Sequence, residues 1–381
     1  MTDRLLLRSL SVLVPFFLAT FSTSSQVFVD INNLSGSEDG VSWTTAYHSL
    51  QAGIDDAASA GEEVWVAKGI YTPTTTTDRR ISFTMKPGVE LYGGFVGTET
   101  SLSMRSWTSN VTTLNGDIGV PNDTTDNSFH VVVGASNATI DGFTISGGNA
   151  DGQTYFSKGG GMVNYHNASP RVVNCIFTAN RAFEGGAMYN YDMSAPHIET
   201  CAFEKNTAFR GGAMVNQYGS SPVITKCEFS GNFALWRGGA VFINYGSSPT
   251  MSECEFLNNS TDGNGGAVFV DDTESQFGGT YPIFTNCTFT YNIAGLRGGG
   301  LANYDKCTPT VEGSGFFFNR AGAGGGAISN DYFVAHATVD NCTFGGNDGG
   351  TGQDDIDCDG TSCVIVPPPG SCPCPPCPCP P

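Results

Sequence analysis

The sequence predicts an all-β fold, a parallel β-helix whose short strands wind into a solenoid, and three observations carry that prediction. One phrase recurs from about Cys175 to Asn347: Cys-x-Phe-x-x-Asn, with Gly-Gly-Ala-apolar beginning eight or nine residues after the Phe. Its first half falls at Phe177/Asn180, Phe203/Asn206, Phe229/Asn232, Phe256/Asn259, Phe289/Asn292, Phe316/Asn319 and Phe344/Asn347, and its second half begins at Gly185, Gly211, Gly238, Gly265, Gly298 and Gly325. Cys175, Cys201, Cys227 and Cys254 lie 26, 26 and 27 residues apart, a period typical of stacked units that bury their apolar faces on one another. Each period holds two or three short apolar-alternating bursts, such as Val223-Ile224 and Cys227-Glu228-Phe229, separated by Gly, Asn and Ser-Pro. No burst reaches the roughly ten residues that a helix needs. The Leu-x-x-Leu-x-Leu phrase of leucine-rich repeats is absent. A coil of three short strands and three turns, with coils spaced ~4.8 Å along the axis, satisfies these observations.

Residues one period apart then lie one above another, so each column has its own chemistry. The Phe column is expected to point inward as a stack of rings, each burying about 150–250 Å². An apolar residue recurs three places before the Cys position, at Val172, Ile198, Ile224, Met251, Phe284, Val311 and Val339. That odd offset breaks strict alternation and places a corner between the two. The Asn column suits a bend, because Asn tolerates unusual backbone angles and its amide can bond to the next coil. Gly-Gly permits a tight turn or a close backbone approach. The Cys column (175, 201, 227, 254, 287 and 342, with Ser314 in one coil) reads as small core filler. A line of inward thiols lacks the converging pairs of a metal site.

The paired Phe-x-x-Asn and Gly-Gly-Ala-apolar tetrapeptides, over roughly residues 140–350, resemble the signature of the polymorphic outer-membrane proteins. Those are autotransporter adhesins built on right-handed parallel β-helices, so the resemblance implies a right-handed coil and an adhesive role. In this sequence a Pro/Cys-rich stretch, not a β-barrel translocator, follows the repeats. The stretch from Asp39 to Tyr71 is similar to the N-terminal cap of the broader, pectate-lyase-like group of secreted β-helix proteins. Lyases of that group place an Arg or Lys base beside clustered carboxylates on one face. The column preceding the Gly-Gly turns is Glu184, Arg210, Arg237, Asn264 and Arg297, so the resemblance makes Arg210, Arg237 and Arg297 the catalytic candidates. Their repetition from coil to coil favours a surface ladder instead, with Glu184 pairing to Arg210.

Taken in order, residues 1–25 read as a secretory signal: Arg4 and Arg8, an apolar run from Leu10 to Phe21, then small residues. The run is too short to span a bilayer, and no other stretch is long and apolar enough for a membrane helix. Residues 26–125 form a lead-in of irregular coils. Thr44 is the expected cap of a helix from Ala46 to Ala58, where Ala46, Leu50, Ile54 and Ala57-Ala58 recur at helical spacing. Such a helix would lid the open end of the solenoid. Strands are expected at Val27–Asp30, Val64–Ala67, Ile81–Phe83 and Val89–Tyr92. Residues 126–350 hold the regular coils, interrupted by an insertion at Asp271–Tyr281 that is expected to bulge from one face and to serve recognition. Residues 351–366 read as an acidic terminal coil, and 367–381 as an extended polyproline tail carrying Cys372, Cys374, Cys377 and Cys379. Those cysteines could cross-link chains.

Composition bounds the function. A net charge of −19 argues against nucleic acid and anionic membrane surfaces as partners, and it would repel an acidic substrate. Asp355-Ile356-Asp357-Cys358-Asp359-Gly360 matches the first half of a calcium loop. The acidic residue required at position twelve falls on Val366, so an acidic coil is the favoured reading of Asp355, Asp357 and Asp359, with a Ca²⁺ site the alternative. Cys358 and Cys363 flank that turn and could pair in an oxidising compartment. The histidines at 48, 130, 166, 197 and 336 show no metal spacing. No Gly-x-Ser-x-Gly elbow is present, and Gly322-x-Gly324-x-x-Ala327 lacks the helix that would hold a phosphate. The expected protein is extracellular, at a cell surface or outer membrane, needs no cofactor, and binds a protein or polysaccharide partner along its flank. The alternatives are a polysaccharide lyase or hydrolase and a structural matrix component.

Overall fold

The computed structural model describes residues 26–272, 278–331, 335–350, 352, 355–358 and 364–366. They form a parallel β-helix. Each regular coil has four extended segments where the sequence suggested three. One coil runs His197–Glu199, Ala202–Glu204, Thr207–Arg210 and Met214–Gln217, and these segments join four sheets, here numbered I to IV in that order. Pairing is parallel at a register of one coil: Ile198 pairs with Ile224, Phe203 with Phe229, Ala208 with Ala234 and Val215 with Phe242. Among the described residues the sheets hold 12, 10, 7 and 10 strands. Sheet III is faint in the sequence because its strand Thr207–Arg210 buries only Ala208, which leaves one small side chain to signal a core position.

Corners fall where backbone enters the left-handed region. Thr200 (φ 53°) lies between Ile198 and Cys201, which confirms the corner implied by the odd offset, and Lys205 (φ 52°) precedes Asn206. The unusual angle therefore belongs to the residue before each Asn, not to the Asn itself. The two glycines of each Gly-Gly pair differ in purpose. Gly211 needs its φ of 59°, whereas a Cβ on Gly212 would overlap the Gly239 carbonyl of the next coil.

The interior is built from stacked columns. Phe177, Phe203, Phe229, Phe256, Phe289, Phe316 and Phe344 stack with centroids 4.5–5.4 Å apart. The Asn column forms a buried amide ladder. Asn206 donates through both its backbone N and its Nδ2 to Asn232 Oδ1, at 3.0 and 3.1 Å, and Nδ2 also donates to the Phe177 carbonyl at 2.9 Å. The same three bonds recur in the following coils, so a polar residue occupies the core with its hydrogen bonds made. Cys175, Cys201, Cys227, Cys254 and Cys287 are buried and unoxidised, as filler requires. Ser314 substitutes in kind, accepting from Cys287 N at 3.0 Å.

At the N-terminal end, helix α1 spans Leu50–Ala60, is capped by Ser49 and ends at left-handed Gly61. It starts later than expected, and Thr44 lies instead in a short 3₁₀ turn, Trp43–Thr45. The cause is Tyr47, whose backbone pairs with the first strand through Asp30 N to Tyr47 O and Tyr47 N to Phe28 O, both 2.9 Å. Leu50, Ile54 and Ala57 bury α1 against the strands Gln26–Val29, Glu63–Ala67 and Phe83–Thr84, so the helix covers the open end. At the other end, Ile356–Cys358 extends sheet IV and Val364–Val366 extends sheet I. Residues 1–25 and 367–381, with the signal and tail-cysteine expectations, lie outside the described residues, as do Asp359 and Cys363. None of the described helices is long and apolar enough to cross a membrane.

Candidate functional site

The outer face of sheet IV carries the candidate site. In its strand Met188–Tyr191, the pleat sends Met188 and Asn190 inward, where Asn190 Nδ2 bonds Asn216 Oδ1 at 2.8 Å, and sends Tyr189 and Tyr191 outward. One outward column is Val163, Tyr189, Val215, Phe242, Phe269 and Ala302. Although outward, these residues form a second buried cluster, with Tyr165, Tyr191 and Tyr304 packed against it. Tyr189 is only 1% exposed. Its hydroxyl donates to Gln217 Oε1 at 2.8 Å, and burial, reinforced by Glu184, holds its pKa far above the ordinary value, so it remains a donor.

The cover comes from the column before the Gly-Gly turns. Lys158 lies 4.9 Å from the Tyr189 ring centroid, Arg210 4.6 Å from that of Trp236, and Arg237 4.2 Å from Trp236 and 4.7 Å from Phe269, distances at which cation and ring attract. Each cation is also paired. Lys158 and Arg210 flank the buried Glu184 carboxylate, with Arg210 Nη1 at 3.1 Å from Oε1. Arg237 Nη1 bonds Asp271 Oδ2 at 2.6 Å. Arg297 pairs with Asp331 and lies 3.8 Å from Asp357.

Opposite this column, the corner after sheet IV places Tyr218 (φ 56°) and Tyr245 (φ 51°) on the rim. Between the two sides lies a cleft along the helix axis. One hollow of about 480 Å³ is lined by Tyr155, Tyr165, Tyr191, Tyr218, Lys158 and Arg210 among others. The next, about 240 Å³, is lined by Arg210, Trp236, Arg237, Asn244, Tyr245 and Asp271, with Phe242 and Asp272. A larger hollow of about 690 Å³ lies on sheet III against Phe183, Phe209, Phe233 and Leu235. Asn149, Asp151 and Arg181 line it as well.

Of the three arginines proposed from the sequence, Arg210 and Arg237 line the cleft, Arg297 lies outside the two hollows, and the expected Glu184–Arg210 pair is present. The carboxylates beside Arg237 and Arg297 come from the far end of sheet IV strands, a placement the 26-residue period does not reveal. The insertion begins at Asp271 on the same face, and Asp272 accepts from Thr280 Oγ1 at 3.0 Å. Asp355 and Asp357 are not brought together. Asp355 Oδ1 accepts from Asn347 at the end of the amide ladder, at 3.0 Å, while Asp357 faces Arg297. No group of three or more His, Cys, Asp or Glu converges on a metal position among the described residues. The tyrosines were the missed signal: Tyr165 and Tyr191 are 26 residues apart, Tyr218 and Tyr245 27.

The family model described as the right-handed beta helix region matches residues 125–316. No curated protein matches the sequence. Among solved structures, pectate lyase Pel9A is similar at 12% identity and a TM-score of 0.39, over 84% of this chain and 70% of its own. ORF18 of Geobacillus virus E2 is similar at 12% identity and a TM-score of 0.35, over 87% of this chain and 59% of its own.

Proposed function

Because this chain belongs to the right-handed β-helix family, we propose that it is an extracellular binding protein of the adhesin type that holds its partner along the sheet IV cleft. One observation carries this reading: every arginine offered as a base is closed on a buried carboxylate, and Arg210 and Arg237 also lie over aromatic rings. An arginine fixed in an ion pair is poorly placed to take a proton from substrate, whereas rigid aromatic area serves binding at low entropic cost. The likeness of the repeats to polymorphic outer-membrane adhesins supports it, and the signal-like residues 1–25 support export. The test is to incubate the purified protein with pectate, alginate and glycosaminoglycans plus Ca²⁺ and follow unsaturated product by its ultraviolet absorbance. The expected result is no product, together with saturable binding to cells or extracellular matrix. Product formation abolished by Arg237→Ala alone would overturn the reading.

A hydrolase is the second reading, favoured by the carboxylates of Asp271, Asp331 and Asp357, all buried on the same face. Glycoside hydrolysis uses a pair of such groups flanking the scissile bond. Release of reducing ends that Asp331→Asn abolishes would establish it.

A further inference from the structure

We propose that the N-terminal half of the cleft is a site for a neutral polysaccharide, whose sugar rings lie along a row of tyrosines. This deepens the binding-protein reading and rests on it. Tyr155, Tyr165, Tyr191, Tyr218 and Tyr245 form an unbroken series, with successive ring centroids 5.5, 6.2, 4.9 and 4.5 Å apart. Tyr155 is exposed and the other four are partly exposed. The row crosses four successive coils, edge-to-face from Tyr155 to Tyr218 and stacked from Tyr218 to Tyr245, so it offers an extended polymer a run of aromatic faces and edges that carry hydroxyls. Tyrosine suits a ligand that is apolar on one face and hydroxylated at its edges.

Charge decides between neutral and acidic chains. The two hollows are lined by three cations, Lys158, Arg210 and Arg237, and three carboxylates, Glu184, Asp271 and Asp272, so the lining is balanced. Each of the cations already holds a carboxylate. A uronate would have to draw a cation away from a buried carboxylate, leaving Glu184 with one cation in place of two or Asp271 without its Arg237 pair. The buried atoms around the smaller hollow suit a hydroxylated ligand. Arg210 Nε and Arg237 Nε are donors without a partner, and Asn244 Oδ1 is an acceptor without one. The hydroxyl groups of a sugar can serve both kinds. A peptide adding as a strand has no opening here, because the sheet IV strands under the tyrosines are paired on both sides.

Trp236 is 38% exposed beside Arg210 and Arg237, so its fluorescence can report occupancy. The full chain is titrated with neutral oligosaccharides of glucan, xylan, mannan and galactan type, with oligogalacturonate and oligoalginate, and with a peptide of residues 367–381. Calorimetry is run in parallel at low and high salt. A neutral oligosaccharide should bind with an affinity that salt leaves nearly unchanged. Tyr218→Ala/Tyr245→Ala should weaken that binding at least about tenfold, or ~1.4 kcal/mol, while Tyr218→Phe/Tyr245→Phe, which keeps the rings, should retain it. Binding only by uronates and weakened by salt, binding only by the proline-rich peptide, no binding by any neutral chain, or unchanged binding by the alanine variant would each overturn the proposal. Continued attachment of the wild type to cells or matrix in any of those cases would leave the adhesin reading standing. A neutral chain that binds while cells and matrix do not would instead remove the adhesin reading alone.

Discussion

Asn232 shows how one residue can carry a polar column through an apolar core. Its Oδ1 accepts from Asn206 N and Nδ2, and its own Nδ2 donates to the Phe203 carbonyl and to Asn259 Oδ1, at 2.8 and 2.9 Å. Asn232→Ala therefore strands the buried Asn206 backbone N–H, and unmade buried bonds cost about 1–3 kcal/mol each. A loss of about 3 kcal/mol in urea unfolding is expected; a loss under about 1 kcal/mol would show that the ladder contributes little. The Cys201 thiol beside this ladder is chemically quiet, since burial pushes it well above its ordinary pKa. His130 gives a residue-scale test in pH. Its ring is buried, with Nδ1 3.0 Å from the Gly159 carbonyl, and burial lowers its pKa because the charged form loses solvation. The unfolded chain then binds the extra proton first. Stability from the neutral ring is complete above about pH 6.5 and falls as pH drops below it, by at most about 1.4 kcal/mol per pH unit. His130→Gln should flatten that slope between pH 7 and 5 relative to wild type, and an unchanged slope would assign it to other groups.

At the scale of elements, the sequence showed the columns that repeat in kind and hid those that do not. Phe, Cys and Asn recur identically, so their stacking was legible. The sheet III strands were not, because Ala182, Ala208 and Ala234 are small and their neighbours face solvent. The start of α1 was displaced because Tyr47 is committed to strand pairing, a tertiary choice that helical spacing does not record. Arg210, Arg237 and Arg297 were legible as a column, but only the fold brings Asp271 and Asp331 to them. These pairs should behave unlike surface ones. Asp271 is 8% and Arg237 18% exposed in their side chains, whereas the Arg171–Glu199 pair on sheet I is 48% and 37% exposed. Asp271→Ala should destabilise by about 3 kcal/mol, since it leaves a largely buried guanidinium uncompensated. Glu199→Ala should cost under about 1 kcal/mol. Equal losses in thermal or urea unfolding would mean that burial does not distinguish the two pairs.

The whole molecule is a one-dimensional stack, so its stability is set by contacts between successive coils. That constraint was readable from the period alone. The cleft was not, because it arises only when the corner tyrosines, the cations before Gly-Gly and the outward sheet IV residues meet across one face. The stack also makes the position of a defect matter as much as its size. Gly212 and Gly219 are close in sequence but differ in what a methyl group would meet. At Gly212 it would strike the Gly239 carbonyl and the Phe233 backbone of the next coil, while at Gly219 it would have only Met193 Cγ in ordinary contact, at 3.5 Å, beside the strain of a φ of 72°. Gly219→Ala should therefore cost about 1 kcal/mol, the usual penalty of a left-handed alanine. Gly212→Ala must separate two coils and should cost on the order of 3 kcal/mol or more. In a nearest-neighbour stack the added damage is local, so the coils on the two sides should uncouple. Hydrogen exchange should rise first in the coils around Gly212 and Gly239, while strands next to α1 and those around Phe316 keep their protection. Unfolding of the variant should then split into two transitions. A single transition, shifted but still cooperative from α1 to Phe344, would show that coupling extends beyond adjacent coils.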